Sequence, residues 1–586
     1  MTFNYSFDLP RYRPTKPIQE VMKLARIITK DETPHELLER VINAIFSVER
    51  SFKAELKHTK RMAEEFAGYI VGGYLMLGIP ILMNAGKHHL ALSSCTVIPV
   101  DLREADSLVE ERIDAYYRHN MGSGFDFTPY DNPVELLNWI NEFSAKKTAM
   151  GSYIRNVGNM GILHVSHPRV REFIQAKRSI DANHFNISIN VNEKFMCNAE
   201  MRENYILSSG EEVNASSLLD QIAENAWLNG EPGLVFLERM NKDNPLIEVS
   251  EYVSVPPCAE MGLAEGEICH FGYINLEKFV KLVSGRVQID YATLDSVTRL
   301  LTRALDNTIE YSLPRYPTSL SVQMAQMKRR IGIGICGLAE MLLAHRLPYE
   351  SEGARSLARD VLSFINYTSK CASVELAYER GPCFAMGYPQ ANRYLNGRYL
   401  EEKYASNPTR TISSQAWKDL ADTIRTTGKL RNISTTTLPP SGIASILLGV
   451  TPSLEPLFNI FERNGDLNKR VIDFLKDELG ENIHLLEQIC EEARTSGSFQ
   501  SVDLPISTRD CLKTAKEIDA KAQLQMVADL ASLKGVVDES ASKTINLPNR
   551  ASIGDVREIF LLAYRLLLKN IAVYRDKTRG NQPSIL

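Results

Sequence analysis

Two cysteines eleven residues apart, Cys258 and Cys269, stand in the stretch SVPPCAEMGLAEGEICHFGYINLEKFV, and Glu260 follows the first by two positions. On an extended segment that spacing puts the Cys258 thiol and the Glu260 carboxylate on one face. Such a pair can act as nucleophile and base, or as a radical site with an acid–base partner. A cysteine hydrolase would take its base from a histidine, and no spacing singles one out among the eleven histidines. Taken alone, Cys-x-Glu is more often incidental than catalytic, and a lone Cys269 is more often a small buried apolar residue. The choice needs the rest of the chain.

The elements that must position these groups are legible as alternation. SSCTVIPV, NMGILHVS, HFNISINV, PGLVFLER, YVSVPPC, IGIGICG, NISTTTL and NIAVYRD read as strands. Between them VELLNWINEFSAKK, PRVREFIQAKR, ASSLLDQIAENAW, LDSVTRLLTRALDNTIEY and ARSLARDVLSFINYTSKCASVELAYER have helical spacing. Ahead of them HELLERVINAIFSVERSFKAELKHTKRMAEEF is helical too. The expectation is an α/β fold with a largely parallel sheet, for which a closed barrel is one form. Its parts are a helical N-terminal region, residues 1–85, and one catalytic domain, residues 86–586. Chemistry then gathers at the strand ends, so Cys95 and Cys258 are expected to share an interior.

Composition narrows the class. The 586 residues are 44% hydrophobic and 24% charged, with a net charge of −5, which gives no nucleic-acid surface. Nine cysteines without a CxxC make neither a disulfide scaffold nor a zinc site, and suit a reducing, cytoplasmic setting. MTFNYSFDLPRYRPTK lacks the apolar core of a signal peptide. The uncharged run FAGYIVGGYLMLGIPILM, residues 66–83, is interrupted by glycines and Pro80 and reads as a buried helix leading into a strand, not a membrane span.

Cys258 and Glu260 gain meaning from ten further segments. Upstream are LMNAGKHHLALSSCTVIPV, GSGFDF, NMGILHVSHPRVREFI, HFNISINVNEKFM and PGLVFLERMNKDNP. Downstream are RRIGIGICGLAEML, ASVELAYERGPC, LPPSGIASILLGVTPSLEPLF, ESASKTINLP and AVYRDKTR. In this order they resemble the catalytic chain of ribonucleotide reductases, most of all the class II, adenosylcobalamin-dependent branch, from about residue 80 onward. The resemblance implies a ten-stranded α/β barrel and reduction of ribonucleoside di- or triphosphates to 2′-deoxyribonucleotides. Cys258 would become the thiyl radical that abstracts the 3′-hydrogen, Glu260 would take the 3′-hydroxyl proton, and Cys95 and Cys269 would supply two electrons and end as a disulfide. Ser94 would contact the ribose, and Pro440 followed by Ser441, Gly442, Ile443, Ala444 and Ser445 matches the phosphate loop, where helix-start amides hold an anion. The other six cysteines carry no assigned role.

Three departures qualify the resemblance. The family motif is Asn-x-Cys-x-Glu, and Pro256 stands at the asparagine, without a side-chain donor or acceptor. After GFDF only TPYDN precedes the next helix, where the family carries a longer effector-site segment. The C-terminal TRGNQPSIL has no cysteine pair, which implies a small thiol or a thioredoxin-like reductant reaching the site directly; no ATP-binding cone is recognisable. The absence of a tandem-tyrosine ending favours adenosylcobalamin. No residue is assigned as a cobalt ligand; the adjacent His88 and His89 read as solvated loop residues. A monomer or homodimer is expected. Two alternatives stay open: a diverged radical enzyme with another nucleotide product, and a non-catalytic nucleotide- or cobalamin-binding relative.

Overall fold

A computed structural model describes residues 7–87, 89–101, 103–461, 467–480 and 482–578; His88 and the terminal segment from residue 579 lie outside them. Its strands, in chain order, are β1 (Leu75–Leu77), β2 (Cys95–Val97), β3 (Gly122–Asp126), β4 (Asn159–His164) and β5 (Phe185–Asn190), then the hairpin β6 (Asn204–Ile206) and β7 (Glu212–Asn214), and β8 (Gly233–Val235). There follow β9 (Ile268–Cys269), β10 (Phe271–Asn275), a second hairpin β11 (Val280–Val283) and β12 (Arg286–Ile289), β13 (Gly332–Cys336), β14 (Thr544–Leu547) and β15 (Asn570–Arg575).

β2, β3, β4, β5 and β8 pair in parallel in that spatial order, each step crossing over through helices such as Asp106–Tyr117, Pro133–Ala149 and Ala215–Asn229. β14 and β15 extend this sheet at one edge and β9 at the other, giving the order β14-β15-β8-β5-β4-β3-β2-β9. A second sheet, β1-β10-β13, continues from β9 almost without a break in the chain. The ladders do not close into one continuous ring. Isolated bridges, Ile333 with Thr436 and Leu438 with Ala541, carry the pairing from β13 towards β14.

The N-terminal layer folds as its sequence directs. Thr33 and Glu36 form a reciprocal capping box ahead of helix Pro34–Phe46, with proline in the first turn where its missing N–H is harmless. Leu38, Val41, Ile42 and Ile45 recur at helical spacing and are buried, part of one core continuous with the barrel. The run at residues 66–83 becomes the end of helix Leu56–Val71, then β1, then helix Ile79–Asn84. β1 pairs antiparallel with β10, so this region also contributes a strand to the barrel. No helix among the described residues is long and apolar enough to cross a membrane.

Two expected strands are not strands. YVSVPPC shows one isolated bridge, Ser254 with Leu263, and Cys258 to Glu260 is not extended. NISTTTL is likewise held only by bridges at Thr436 and Leu438. β-Branched composition favours strands, but both segments run where side-chain and loop bonds replace a ladder. A second hydrophobic cluster gathers residues from Leu457 to Leu512 around Ala339 and Leu343 of helix Leu338–Ala344, whose other face belongs to the main core, a subdivision with no linker to announce it.

Candidate active site

β3 begins Gly122-Ser123-Gly124, and its two glycines face the barrel interior. A Cβ at Gly124 would lie 2.1 Å from the Val255 carbonyl oxygen, and one at Gly122 would lie 3.1 Å from the Pro257 ring and 3.5 Å from Cys95 Sγ. The strand is bare on that side because the segment Val255 to Glu260 passes directly over it.

That segment is a tight turn. The Ala259 N–H donates to the Pro256 carbonyl at 2.9 Å, with Pro257 and Cys258 between them and Ala259 at φ +54. Proline at the second turn position pre-sets its backbone. The left-handed Ala259 is strained, since its Cβ crowds the carbonyl. Surrounding bonds hold it there. The Asn570 amide donates to the Ala259 carbonyl at 2.7 Å, and the Glu260 carbonyl accepts from the Thr437 hydroxyl at 2.7 Å and the Ser540 N–H at 3.0 Å. Because the turn replaces the expected extended run, Cys258 and Glu260 have different surroundings: Cys258 is exposed, while Glu260 is buried.

The three sequence-predicted thiols gather here. Cys95 on β2 and Cys269 on β9 are direct cross-strand partners, and Cys269 Sγ donates to the Cys95 carbonyl at 3.8 Å. Directly opposed residues of an antiparallel pair have the Cα separation a disulfide needs. Cys95 Sγ donates to Glu260 Oε1 at 3.7 Å, and Glu260 Oε2 is buried without a hydrogen-bond partner. Cys258 is accessible although protein crowds around it, as for a side chain lining an internal cavity.

Burial and neighbouring charge raise the proton affinity of all four groups. Burial pushes the Glu260 carboxyl up to about 7, against the lowering effect of the Cys95 hydrogen bond and Arg155. The Cys95 thiol is held well above its ordinary value by its hydrogen bond with Cys269, by burial and by Glu260. Burial raises Cys258, reinforced by Glu260 and Cys95, and burial also raises Cys269. A thiolate nucleophile needs the opposite shift. Protonated thiols beside a carboxyl poised near neutrality suit hydrogen-atom and proton transfer.

Pro440 to Ser445 approaches the same region. The Tyr273 hydroxyl on β10 donates to the Pro440 carbonyl at 2.9 Å, and burial, then Glu260, Cys95 and Cys258, raise that phenol well above its usual range. Helix Gly442–Leu448 starts at Ser441, whose hydroxyl accepts from the Ser453 N–H at 2.8 Å and does not cap the helix. No Cβ at Gly442 would meet a neighbour within 4 Å, so its backbone is open to close approach. Ala444 and Ser445 are buried, Ile443 partly so, and Ser445 caps back onto the Gly442 carbonyl at 2.8 Å. Ser94 precedes β2 with its N–H on the Cys269 carbonyl at 2.9 Å and its buried hydroxyl unpartnered.

Several site residues escaped sequence reasoning. Arg155, in a loop before β4, is the cation whose field reaches Cys95, Cys258, Glu260 and Tyr273. Asn570 on β15 and Asn186 on β5 support the Cys258 turn from far along the chain, Asn186 by donating to the Pro257 carbonyl at 3.1 Å. Only Gly122 and Gly124 carried a readable signal, since paired glycines in a strand mark close backbone approach. No cluster of three or more histidine, cysteine, aspartate or glutamate residues suited to a metal ion occurs among the described residues.

The family model described as ribonucleotide reductase, barrel domain, matches residues 128–574, well over half of the chain. The chain belongs to the ribonucleotide reductase family. Within it, the chain is 30% identical to the vitamin B12-dependent ribonucleoside-diphosphate reductase of Thermoplasma acidophilum, over 86% of this chain and 64% of that protein's length. A protein of the same name from Mycobacterium tuberculosis is 29% identical over 94% of this chain and 77% of its own length. Among solved structures, the Actinobacillus ureae class Id ribonucleotide reductase alpha subunit shares the fold, with a TM-score of 0.74, 18% identity, and coverage of 96% of this chain and 98% of that one. The ribonucleotide reductase barrel expected from the sequence is therefore the fold observed. Its matched span contains Cys258, Glu260 and Cys269; Cys95 precedes the span and joins them through the β2–β9 pairing.

Proposed function

We propose that this chain reduces ribonucleotides to 2′-deoxyribonucleotides by a cysteine-radical route initiated with adenosylcobalamin. The observation that carries the reading is the juxtaposition of Cys95, Cys269 and Glu260 beneath the accessible Cys258. The names of the vitamin B12-dependent relatives support the cofactor and favour a ribonucleoside diphosphate as substrate.

The residues present fit the cofactor at one point: Cys258 presents an accessible thiol kept protonated, beside the Ser542 hydroxyl, and these two would face the bound group. Adenosylcobalamin, when bound, supplies the one-electron chemistry that converts this thiol to a thiyl radical. Everything else falls to the chain. Cys258 takes the 3′-hydrogen and later returns it. Glu260, ionised above about pH 7, accepts the 3′-hydroxyl proton. The departing 2′-hydroxyl leaves as water, and Cys95 and Cys269 give two hydrogens and close as a disulfide. The sum is ribonucleotide plus dithiol to deoxyribonucleotide plus disulfide plus water. Ser94 lies against the ribose, and the loop from Ser441 to Ser445 takes the phosphates on the amides ahead of Ser445, whose own N–H is bonded to the Ser441 carbonyl. Residues 1–85 act as a helical support that also lends β1 to the barrel, and residues 86–586 as the catalytic domain. A small thiol or thioredoxin-like protein renews the dithiol, in a cytoplasmic monomer or homodimer.

The test is anaerobic incubation of the protein with adenosylcobalamin, dithiothreitol and ribonucleoside diphosphates, with products read by mass spectrometry. A 2′-deoxynucleotide that disappears in Cys258→Ala is the expected result. A different Cys258-dependent nucleotide, or binding without turnover, would overturn the reading.

A further inference from the structure

Pro256 leaves the Cys258 turn without the amide that a substrate hydroxyl would meet, and the fold brings another amide to the same place. We propose that Asn186 holds a ribose hydroxyl beside Cys258; this rests on the reductase reading above. Asn186 is the register partner of Met160, which is itself the partner of Gly124, so all three point to the same face of the sheet. That face is the barrel interior, because Gly124 lies against Val255 and Met160 packs in one cluster with Val255 and Ala259.

Along β5 the other residues are buried or half-buried, and Asn186 alone is exposed. A polar side chain exposed at an inward-facing position of an otherwise buried strand meets the same turn that exposes Cys258. Its orientation is fixed: a carbonyl can only accept, so the bond to Pro257 must use the amide nitrogen. One N–H and the Oδ1 oxygen then remain for a ligand, one residue from the radical cysteine.

Two other side chains bonded to this turn are already committed. Asn570 is buried and spends its amide on Ala259, Ser540 and Ala541. The Thr437 hydroxyl is bonded to the Glu260 and Ser540 carbonyls. Glu260 lies towards β2, bonded to Cys95, whereas Asn186 reaches the turn from β5. The two groups thus flank Cys258, an arrangement that lets them divide adjacent ribose hydroxyls between them.

The experiment compares wild type with Asn186→Ala, measuring turnover and equilibrium binding of a ribonucleoside diphosphate and its 2′-deoxy and 3′-deoxy forms. Loss of one buried hydrogen bond to the reacting centre predicts a fall in kcat of about 100-fold. It also predicts that preference for the ribonucleotide over one deoxy form drops at least tenfold, with an unchanged thermal midpoint. Adding Pro256→Asn to Asn186→Ala should recover part of the rate. Equal weakening of all three ligands, as expected if Asn186 merely tethers Pro257, would overturn the inference, as would unchanged turnover and preference. Wild type that neither binds nor converts ribonucleotides would overturn the reductase reading and this inference together.

Discussion

At Glu260, burial sets a proton equilibrium that both activity and stability must follow. With a folded value of about 7 against an ordinary 4.5, the group is protonated in both folded and unfolded states below pH 4.5, so burying it carries no ionisation penalty there. As pH rises through 7 the buried carboxyl must ionise or keep its proton at a cost, and that share of stability is lost, about 3 kcal/mol at most. Glu260→Gln is therefore expected to raise the thermal midpoint at pH 8 and leave it nearly unchanged at pH 4.5, as calorimetry would show. Its activity should fall by about 10²–10⁴, and the wild-type rise in kcat/KM near pH 7 should vanish from the pH profile. Gly124 sets position where Glu260 sets charge. Gly124→Ala forces its Cβ into the Val255 carbonyl, for a loss of about 1–3 kcal/mol in urea unfolding and a displaced Cys258 turn. Gly122→Ala meets only the Pro257 ring and Cys95 at ordinary or slightly short distances and should be milder in both respects.

Between elements, buried ion pairs decide how the N-terminal layer sits on the barrel. Glu49 is buried, and it bonds Arg303 and Asn307 of helix Tyr291–Ser312 and Arg380 at the end of helix Glu352–Arg380. Burial alone would raise its carboxyl, but Arg380 and Arg303 outweigh it and hold the group below its usual value. Glu49→Ala should cost about 1–3 kcal/mol in denaturant unfolding, because Arg303 and Arg380 each lose one buried carboxylate partner and keep only Glu379 and Asp306. For a depressed carboxylate the contribution is present above the unfolded value and lost as pH falls through the folded one. Acidification below pH 4.5 should consequently destabilise wild type more than Glu49→Ala. The capping box and apolar spacing of helix Pro34–Phe46 were legible in sequence, since both are local. The anchoring of Glu49 was not, because its partners lie more than 250 residues away.

Across the whole molecule, β2 and β9 form one of the joins between the parts of the barrel, and the cysteine pair spans that join. Oxidation with diamide should link Cys95 to Cys269, detectable by peptide mapping, and close a loop of 174 residues. In the chain-entropy account such a closure adds about 5 kcal/mol. The oxidised protein should melt several degrees higher than the reduced one, and Cys269→Ser should abolish the difference.

Strand–helix alternation, the helical entry and the cysteine–glutamate spacing were fixed by the order of residues alone, because periodicity and caps are properties of neighbours. The strand character expected of YVSV and NISTTTL failed for the opposite reason: β-branched composition describes a local preference, and whether a ladder forms depends on what lies alongside. Which side chains converge is likewise a matter of tertiary structure. Gly124 makes room for Val255, Asn570 restrains Ala259, Arg155 lends its field to two thiols, a phenol and a carboxyl, and Asn186 reaches the turn from a strand some 70 residues upstream. Sequence could name a thiol and a carboxyl two residues apart. Only the packed interior separates an accessible Cys258 from a buried Glu260, because burial and electrostatic fields sum over everything nearby in space, however distant along the chain.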